Sequence, residues 1–297
     1  MNASGWRTFI VSGQDKLGLR DGNLIMENDE GELVTPIGDI REVMILSEQC
    51  SISVALLNAL VEHNVSVVMC DKKHKPSCEV TPLNLHSESA GNLFTQIACK
   101  DGDKEAAWNH IVQNKIRNQR EVLKALKIDV PFRMRDYVMN ISKGDSTNRE
   151  AQAARLYFGA LFGSEFKRNN EDDLNACLNY GYSIILSACA RAVSMYGYNN
   201  AIGVHHRGQG NPYNLACDIM EPFRPFVDML AYKRRGLPLD WTLKKEFIAL
   251  PYTECKMNNK TMKLYTVIDQ YALGLLKFMN HTSGIIGEVY LWQTEEE

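Results

Sequence analysis

The chain has 297 residues, of which 45% are hydrophobic and 23% charged, a balance typical of a globular protein that buries a core. Its formal net charge of -3 excludes binding of nucleic acid through bulk positive charge, so such binding would need local basic patches. The longest uncharged run, residues 174–190, is interrupted by Asn, Gly, Tyr and Ser and is too short and too polar to predict a membrane span.

Cysteine usage indicates a reducing compartment. The chain has eight cysteines, and none forms a Cys-x-x-Cys pair, which argues against a structural zinc site. Most of them lie in apolar runs and are expected to be small core residues. Because no signal peptide is recognised in the sequence, we expect a protein of a reducing cytoplasm.

The first quarter of the chain has the pattern of β-strands. Residues 6–12 are rich in aromatic and β-branched side chains, and Asp21-Gly22 between two short apolar runs is a strong hairpin signal. Residues 51–63 have helical periodicity with Ser51 or Ser53 as the cap, and a buried strand follows at 65–70. The prediction is a β-rich, sandwich-like domain over residues 1–75.

Residues 76–92 are predicted to be an interdomain linker. This stretch contains Pro76, Pro82, Gly91 and several serines and has little periodicity. The charged residues 71–78, which overlap the start of this stretch, are either a solvated loop or a binding element. Their composition favours the solvated loop.

From residue 93 to the end the pattern is helical, which predicts a larger all-α domain and an α+β protein. The longest run, 103–127, has one apolar stripe and one basic stripe. The basic stripe consists of Arg117, Arg120, Lys124 and Lys127. It could follow a phosphate backbone, or it could be the wet face of an amphipathic helix.

Two further helices bear on the function. Thr147-x-x-Glu150 fits a capping box, in which the Glu150 carboxylate binds a backbone N–H at a helix start. Residues 174–196 predict a long helix of small and apolar residues that is central in the bundle. Small residues such as Gly181 would allow neighbouring helices to approach closely.

The stretch 203–225 contains the side chains best suited to catalysis or metal binding. His205 and His206 lie in a loop rich in Gly, Asn and Pro, and Asp218 and Glu221 follow at a spacing that places them on one helix face. Two carboxylates and an imidazole would suit Mg²⁺ or Mn²⁺. The simpler alternative is a solvated helix face beside an ordinary loop histidine. Pro222 and Pro225 predict a kink or restart next to Glu221.

Three separated motifs resemble one known family. They are Asn148-Arg149-Glu150-Ala151, Gly203-Val204-His205-His206, and the stretch 218–228 with the sequence DIMEPFRPFVD. Together they resemble the CRISPR-associated endonuclease/integrase, the first protein of the Cas series. The opening Gly5-Trp6-Arg7, the strand at 65–71 and the Asn- and Tyr-rich segment 175–182 resemble its type II branch. The resemblance extends in order from Trp6 to about Met279.

The resemblance implies a metal site for Mg²⁺ or Mn²⁺. By position its ligands are Glu150, His206 and Glu221, while His205 falls on a variable position and Asp218 is an outer residue or a ligand of a second ion. Three arginines next to these positions are candidate phosphate contacts: Arg149, Arg207 and Arg224. Arg224 is equally explained by a structural ion pair. The resemblance also favours the interpretation that Arg117, Arg120 and Lys124 follow a DNA phosphate backbone.

The implied function is the joining of 3′-hydroxyl ends of captured foreign DNA to the repeat of a CRISPR array, with hydrolysis where water is the attacking group. The implied assembly contains two homodimers, paired through the β-rich domain, that flank a dimer of the second Cas protein. An RNA-guided effector nuclease and a ring-shaped DNA-binding accessory protein are further implied partners. Two alternatives are a non-catalytic helical scaffold that binds DNA or protein and a generic metal-dependent DNA nuclease.

Overall fold

The computed structural model describes residues 5, 7–29, 31–72, 76–80, 87–281 and 286–290. The chain divides into two compact units, Met1–Leu85 and His86–Glu297. Trp6, parts of the predicted linker and the acidic C-terminal residues lie outside the described residues. The α+β class predicted from the sequence is confirmed, because the first unit is built mainly of strands and the second mainly of helices.

The first unit has eight strands and one α-helix in its described part. These are β1 Arg7–Val11, β2 Lys16–Arg20, β3 Asn23–Asn28, β4 Gly31–Pro36, β5 Ile40–Ile45, β6 Ser51–Ile52, α1 Val54–Glu62, β7 Ser66–Cys70 and β8 Pro76–Val80. One sheet has the order β4-β3-β2-β6 and the other β1-β5-β7-β8, in which β1, β5 and β7 are parallel. Side chains of both sheets and of α1 share one apolar core, among them Leu24, Val43 and Leu56.

Local signals in this unit act as expected. Asp21 and Gly22 have φ angles of 50° and 73° and connect β2 to β3, because a tight hairpin requires this left-handed backbone. Ser53, and not Ser51, caps α1, since its side chain accepts a hydrogen bond from the Leu56 N–H at 3.2 Å.

The predicted linker at 76–92 needs a correction. Residues Pro76–Val80 form β8, which pairs antiparallel with β7, and helix α2 already begins at Ser89. β8 pairs with the strand that precedes it in the chain through backbone hydrogen bonds, and backbone groups are the same for every composition. A charged, proline-containing stretch at a sheet edge therefore resembles a loop in sequence.

The second unit is helical but not entirely so, which corrects the all-α description. Its described helices are α2 Ser89–Ala98, α3 Asp101–Ala125, α4 Arg133–Met139, α5 Arg149–Phe162, α6 Asp173–Met195, α7 Asn214–Met220, α8 Arg224–Lys233, α9 Trp241–Ala249 and α10 Leu264–Met279. A three-stranded sheet lies between them in the order β10-β9-β11, formed by β9 Glu254–Met257, β10 Lys260–Lys263 and β11 Val289–Tyr290. Among the described residues, no helix is both long and apolar enough to cross a membrane.

Helix α3 is the central helix of the site. Its bounds agree with the predicted run at 103–127, but its environment differs from a surface helix. Asn114, Lys115, Asn118 and Gln119 are buried along with its apolar residues. Because buried polar groups require partners, α3 is where polar interactions inside this unit are concentrated.

Gly181 in α6 is a point of close helix contact, as the small side chains predicted. A Cβ atom at this position would lie 2.7 Å from Phe247 Cδ1 and would also meet Val227, and both of those side chains are fully buried. Gly159 in α5 is a helical glycine with no atom within 4 Å of such a Cβ. Alanine substitutions at these two glycines therefore distinguish the effect of packing on stability from the effect of helix propensity.

We expect Gly181→Ala to lower the free energy of unfolding by about 1–3 kcal/mol, because overpacking outweighs the gain in helix propensity. Gly159→Ala is the matched control and is expected to raise it by about 0.5–1 kcal/mol. Urea denaturation followed by circular dichroism measures both. A stabilised Gly181→Ala variant would contradict the packing seen around α6.

Candidate active site

Two of the predicted site carboxylates meet at a lysine that the sequence analysis did not single out. The Lys115 ammonium in α3 donates hydrogen bonds to Glu150 Oε1 of α5 and to Glu221 Oε2, the second at 2.5 Å. The side chains of Lys115 and Glu221 are only 9% and 6% exposed, and that of Glu150 is 26% exposed. One buried cation thus joins two anions from distant parts of the chain.

The capping box predicted at Thr147 is wrong, and this leaves Glu150 available. Asn148 caps α5 in a left-handed conformation with φ 54° and accepts from the Ala151 N–H. The Asp145 carboxylate accepts from the backbone N–H groups of Arg149 and Glu150 at 2.7 and 2.9 Å. Because these side chains satisfy the helix terminus, the Glu150 carboxylate is free to reach Lys115.

Glu221 is held by two cations. It begins a short 3-10 turn, Glu221–Phe223, and α8 restarts at Arg224, which agrees with the predicted kink. Arg224 Nε donates to Glu221 Oε1 at 2.8 Å, and its guanidinium lies 4.6 Å from the centre of the Tyr182 ring. Burial alone would raise the pKa of Glu221, but Arg224 and Lys115 outweigh it and lower the pKa to about 2. The carboxylate is therefore ionised at neutral pH.

Lys115 also keeps its charge. Burial acts to lower the pKa of its ammonium, whereas the charges of Glu221 and Glu150 raise it, and the net direction is upward. The predicted structural role of Arg224 as an ion-pair partner agrees with the geometry. A contact with phosphate is compatible with it, because Arg224 also lines the open cavity described below.

Asp218 organises the histidine loop. Its fully buried carboxylate accepts hydrogen bonds from the backbone N–H groups of Val204, His205 and His206 at 2.6, 3.0 and 3.1 Å. It also lies 2.6 Å from His206 Nδ1. Gly203 is required here, because a Cβ atom would lie 2.8 Å from the Asp218 carboxylate. This arrangement holds the imidazole of His206 by Nδ1, so Nε2 is the ring nitrogen that could bind a ligand.

Trp108 supports the same loop from α3 and was missed by the sequence analysis. Its ring stacks flat on His205 at 4.0 Å between ring centres and meets His206 edge-on at 6.0 Å. Trp108 precedes Lys115 by two helix turns, so one helix positions both the histidine pair and the carboxylate pair. A tryptophan and a lysine seven residues apart on the apolar side of α3 were the signal available in the sequence.

The hydrogen bond to Asp218 is the main cause that raises the pKa of His206, with burial acting against it. We expect Asp218→Asn to lower the pKa of His206, because the neutral amide no longer favours the imidazolium. NMR titration of the imidazole protons in metal-free protein measures this. Asp101→Asn, which removes an exposed carboxylate near Arg207, is the control. An unchanged His206 pKa in Asp218→Asn would contradict the contact.

The donor types suit a divalent cation, although the predicted ligands do not form a ready ligand set. Two carboxylates bind one cation position, and Asp218 orients the imidazole of His206. Mg²⁺ and Mn²⁺ accept both of these ligand types. In the described part of the chain, no three His, Cys, Asp or Glu side chains converge closely enough to hold a metal ion. The position between Glu150 and Glu221 is taken by the Lys115 ammonium.

An open cavity of about 670 Å³ adjoins these carboxylates. One part of its wall carries Lys115, Glu150, Glu221 and Arg224, and another carries the cation and amides of Arg168, Asn169, Asn170 and Asn179. Arg168 donates to Asn179 Oδ1 at 2.7 Å, and its guanidinium lies 5.2 Å from the centre of the Tyr182 ring. The sequence of residues 167–173, which include Arg168, indicates only a polar loop, because nothing in its composition indicates which residues it will contact.

Asp228 is another carboxylate in the cavity wall, in addition to Glu150, Glu171 and Glu221. It is almost fully buried and accepts a hydrogen bond from the Tyr182 hydroxyl. Burial raises its pKa to about 6, although the hydroxyls of Tyr182 and Tyr157 and the charges of Arg224 and Lys115 act to lower it. Asp228 is thus an acid whose charged form is unfavourable in the folded protein.

The predicted basic stripe on α3 is not a uniform wet face. Arg117 is half-buried and pairs with Glu288 at 2.8 Å, and Arg120 is half-buried as well, with its Nε atom shielded from solvent. Lys124 is exposed and pairs with Glu121. The wet-face interpretation is therefore wrong for the first half of the stripe, since the rest of the unit packs around α3. A role of Arg117, Arg120 and Lys124 in DNA binding stays a prediction.

The other two predicted phosphate contacts lie at different depths. Arg149 is half-buried, lies 4.8 Å from the centre of the Tyr137 ring and donates to Gln152. Arg207 follows the histidine pair and is well exposed, 3.6 Å from Asp101. Their roles in DNA binding also stay predictions.

Comparison with known proteins agrees with the resemblance found in the sequence. The family model described as "CRISPR associated protein Cas1" matches residues 9–267. A CRISPR-associated endonuclease Cas1 of Neisseria meningitidis serogroup C is 32% identical over 89% of this chain and 89% of its own length. Among solved structures, a casposase bound to integration product aligns with a TM-score of 0.78 and 17% identity over 95% of this chain and 92% of its own. A partial Cas6-RT-Cas1–Cas2 complex aligns with a TM-score of 0.65 and 18% identity over 98% of this chain and 100% of its own.

Proposed function

Since the chain belongs to the Cas1 family, we propose that it is a DNA endonuclease and integrase of CRISPR adaptation. In this proposal it joins the 3′-hydroxyl ends of captured foreign DNA to the repeat of a CRISPR array, and it cuts DNA where water replaces the hydroxyl. We assign it to the type II branch on the motifs at its N-terminus and in α6. The relative from Neisseria carries the name endonuclease, and the related casposase was solved with an integration product.

One observation carries this proposal. Two carboxylates, of which Glu221 is ionised, and an imidazole oriented by Asp218 belong to one unit, and the carboxylates border a cavity with arginines in its wall. A transferring phosphodiester group is anionic, and its reaction requires cations near it and carboxylates that hold a metal ion. A non-catalytic scaffold would have no reason to bury two acids beside an open cavity.

We propose that Glu150, His206 and Glu221 hold Mg²⁺ or Mn²⁺. When bound, such an ion would polarise a phosphodiester oxygen and favour attack on the phosphorus. The residues of the chain have separate tasks around it. Asp218 fixes the direction of the His206 ring, and Arg224 keeps the Glu221 carboxylate ionised and oriented. Arg224 and Arg168 line the cavity where they can bind DNA phosphates.

Double-stranded DNA, both the captured fragment and the repeat, is the proposed substrate. We further propose homodimers of this chain and a complex in which two of them flank a dimer of the second Cas protein. The Cas6-RT-Cas1–Cas2 complex among the related solved structures supports the choice of partner. A type II effector nuclease and a ring-shaped accessory protein are proposed as additional partners. Arg117, Arg120, Lys124, Arg149 and Arg207 are proposed contacts to the DNA backbone.

Strand transfer tests this function directly. A labelled duplex with free 3′-hydroxyl ends is mixed with a supercoiled plasmid that carries a repeat, the second Cas protein and Mn²⁺. We expect wild type to join the duplex to the plasmid and His206→Ala to lose joining by about 10²-fold or more, as for loss of a group that acts on the reacting charge. His63→Ala, an exposed histidine in the first unit, is the control and is expected to retain joining.

The pattern of results separates the alternatives. Equal joining by wild type and His206→Ala would contradict the assignment of His206. Cutting of DNA without joining in the presence of all partners would favour a generic nuclease. Binding of DNA with neither cutting nor joining, and with no effect of Mn²⁺ on thermal stability, would favour a scaffold.

A further inference from the structure

Lys115 occupies the place where a metal ion would have to bind. Its ammonium lies within hydrogen-bonding distance of both Glu150 and Glu221, and the second oxygen of Glu221 is already bound to Arg224. A divalent ion held by these two carboxylates would need the position that the ammonium occupies. The ammonium and the ion cannot share that position, because they would overlap and repel each other.

The surroundings allow the lysine to leave. Lys115 also lines the open cavity beside the carboxylates, so its ammonium can move toward that cavity without crossing the packed core. A lysine side chain has a flexible four-carbon stem, unlike the planar fork of arginine. Arg224, by contrast, is held over the Tyr182 ring and is suited to remain on Glu221. Of the two cations that bind Glu221, Lys115 is therefore the one with the freedom to move away.

We propose that Lys115 is an internal counter-cation that holds Glu150 and Glu221 together in the metal-free protein and is displaced when a divalent ion binds. This inference rests on the proposed function, since it takes Glu150 and Glu221 to be metal ligands. It assigns Lys115 the role of a positioning residue. The lysine prevents the buried Glu221 carboxylate and the partly exposed Glu150 carboxylate from repelling each other in the metal-free protein, and it weakens ion binding because it must first be removed.

A Mn²⁺ titration by calorimetry on metal-free protein tests the competition. Lys115→Met preserves the length of the side chain and removes its charge. We expect it to bind Mn²⁺ at least about tenfold more tightly than wild type, within the ordinary range of coupling between two binding events. Lys143→Met is the matched control, because Lys143 forms an exposed ion pair with Glu105 in the same unit, and its affinity is expected to stay within about twofold of wild type.

A second measurement uses the wild-type protein and does not depend on the folding of a variant. Limited reductive methylation followed by mass spectrometry reports the accessibility of each lysine amine. We expect Lys115 to be protected in metal-free protein and to become reactive at saturating Mn²⁺, while Lys143 is reactive in both states. The readout is independent of DNA cleavage and joining.

The outcomes distinguish this inference from the proposed function. If wild type binds Mn²⁺ and His206→Ala does not, but Lys115 stays protected at saturating Mn²⁺, the proposed metal site is supported and the proposed displacement of Lys115 is wrong. If Lys115→Met binds Mn²⁺ no more tightly than wild type, the competition is wrong. If neither wild type nor Lys115→Met binds Mn²⁺, the metal-dependent function and the inference both fall.

Discussion

Replacing Glu221 by Gln is expected to reduce strand transfer by about 10²–10³-fold, the size of effect seen when one group that stabilises reacting charge is lost. Glutamine has nearly the same shape and can still accept the Arg224 hydrogen bond, but it carries no charge to hold a divalent ion. The affinity for DNA is not expected to fall, because the change removes a negative charge from the cavity wall. The loss should therefore appear in the rate of joining and not in binding.

The measurement is single-turnover joining with saturating protein, together with DNA affinity at fixed salt and a circular dichroism spectrum. Glu121→Gln is the matched control, since Glu121 is a glutamate of α3 that pairs with Lys124 on the surface. It is expected to join DNA at the wild-type rate. Joining by Glu221→Gln within a few-fold of wild type would show that the Glu221 charge has no part in the reaction.

Replacing Asp228 by Asn is expected to stabilise the protein at neutral pH. The pKa of Asp228 is about 6 in the folded protein and 3.8 in its ordinary environment, and this separation corresponds to about 3 kcal/mol. Because the folded-state pKa is raised, the stability due to the protonated acid is complete below pH 3.8 and is lost as pH rises through 6. At pH 7.5 the wild type carries the cost of a buried charge that Asn lacks.

Urea denaturation at several pH values between 4 and 7.5 measures this effect. We expect Asp228→Asn and wild type to have similar unfolding free energies at pH 4, and the variant to be more stable by up to about 3 kcal/mol at pH 7.5. Glu221 changes the stability of both proteins in the same way, so its contribution cancels in the difference. Asp136→Asn, at an exposed position in α4, is the control and is expected to follow the wild type. A difference that is independent of pH would mean that Asp228 does not titrate as assigned.

Several features follow from local sequence alone. The Asp21-Gly22 hairpin, the helix at 101–125 and the kink beside Glu221 depend on backbone preferences of a few neighbouring residues, and the structure agrees with each of them. The spacing of Glu221 and Arg224 is also local, since residues three apart on a helical turn can pair. The family resemblance likewise required no tertiary information.

The histidine loop was only half determined by its sequence. Glycine, asparagine and proline around His205 and His206 indicate a loop, and Asp218 was expected near the site. The hydrogen bonds of the Asp218 carboxylate depend on how the loop folds over α7. They join the carboxylate to three backbone N–H groups and to the His206 ring. Hydrogen bonds of this kind join residues 12 to 14 positions apart, which exceeds the range of any periodic pattern.

The sequence by itself therefore determined the types of the reactive residues, the two-part α+β composition and the family. Only the tertiary structure decided which charges neutralise each other. Lys115 lies four residues after buried Ile111 and seven before buried Val122, so the apolar pattern of α3 already places a lysine on a buried face. A buried ammonium needs an acid, but the choice of Glu150 and Glu221 arises from the packing of α5 and the turn after α7 against α3. Electrostatic pairing depends on distance in space, and sequence separation does not encode that distance.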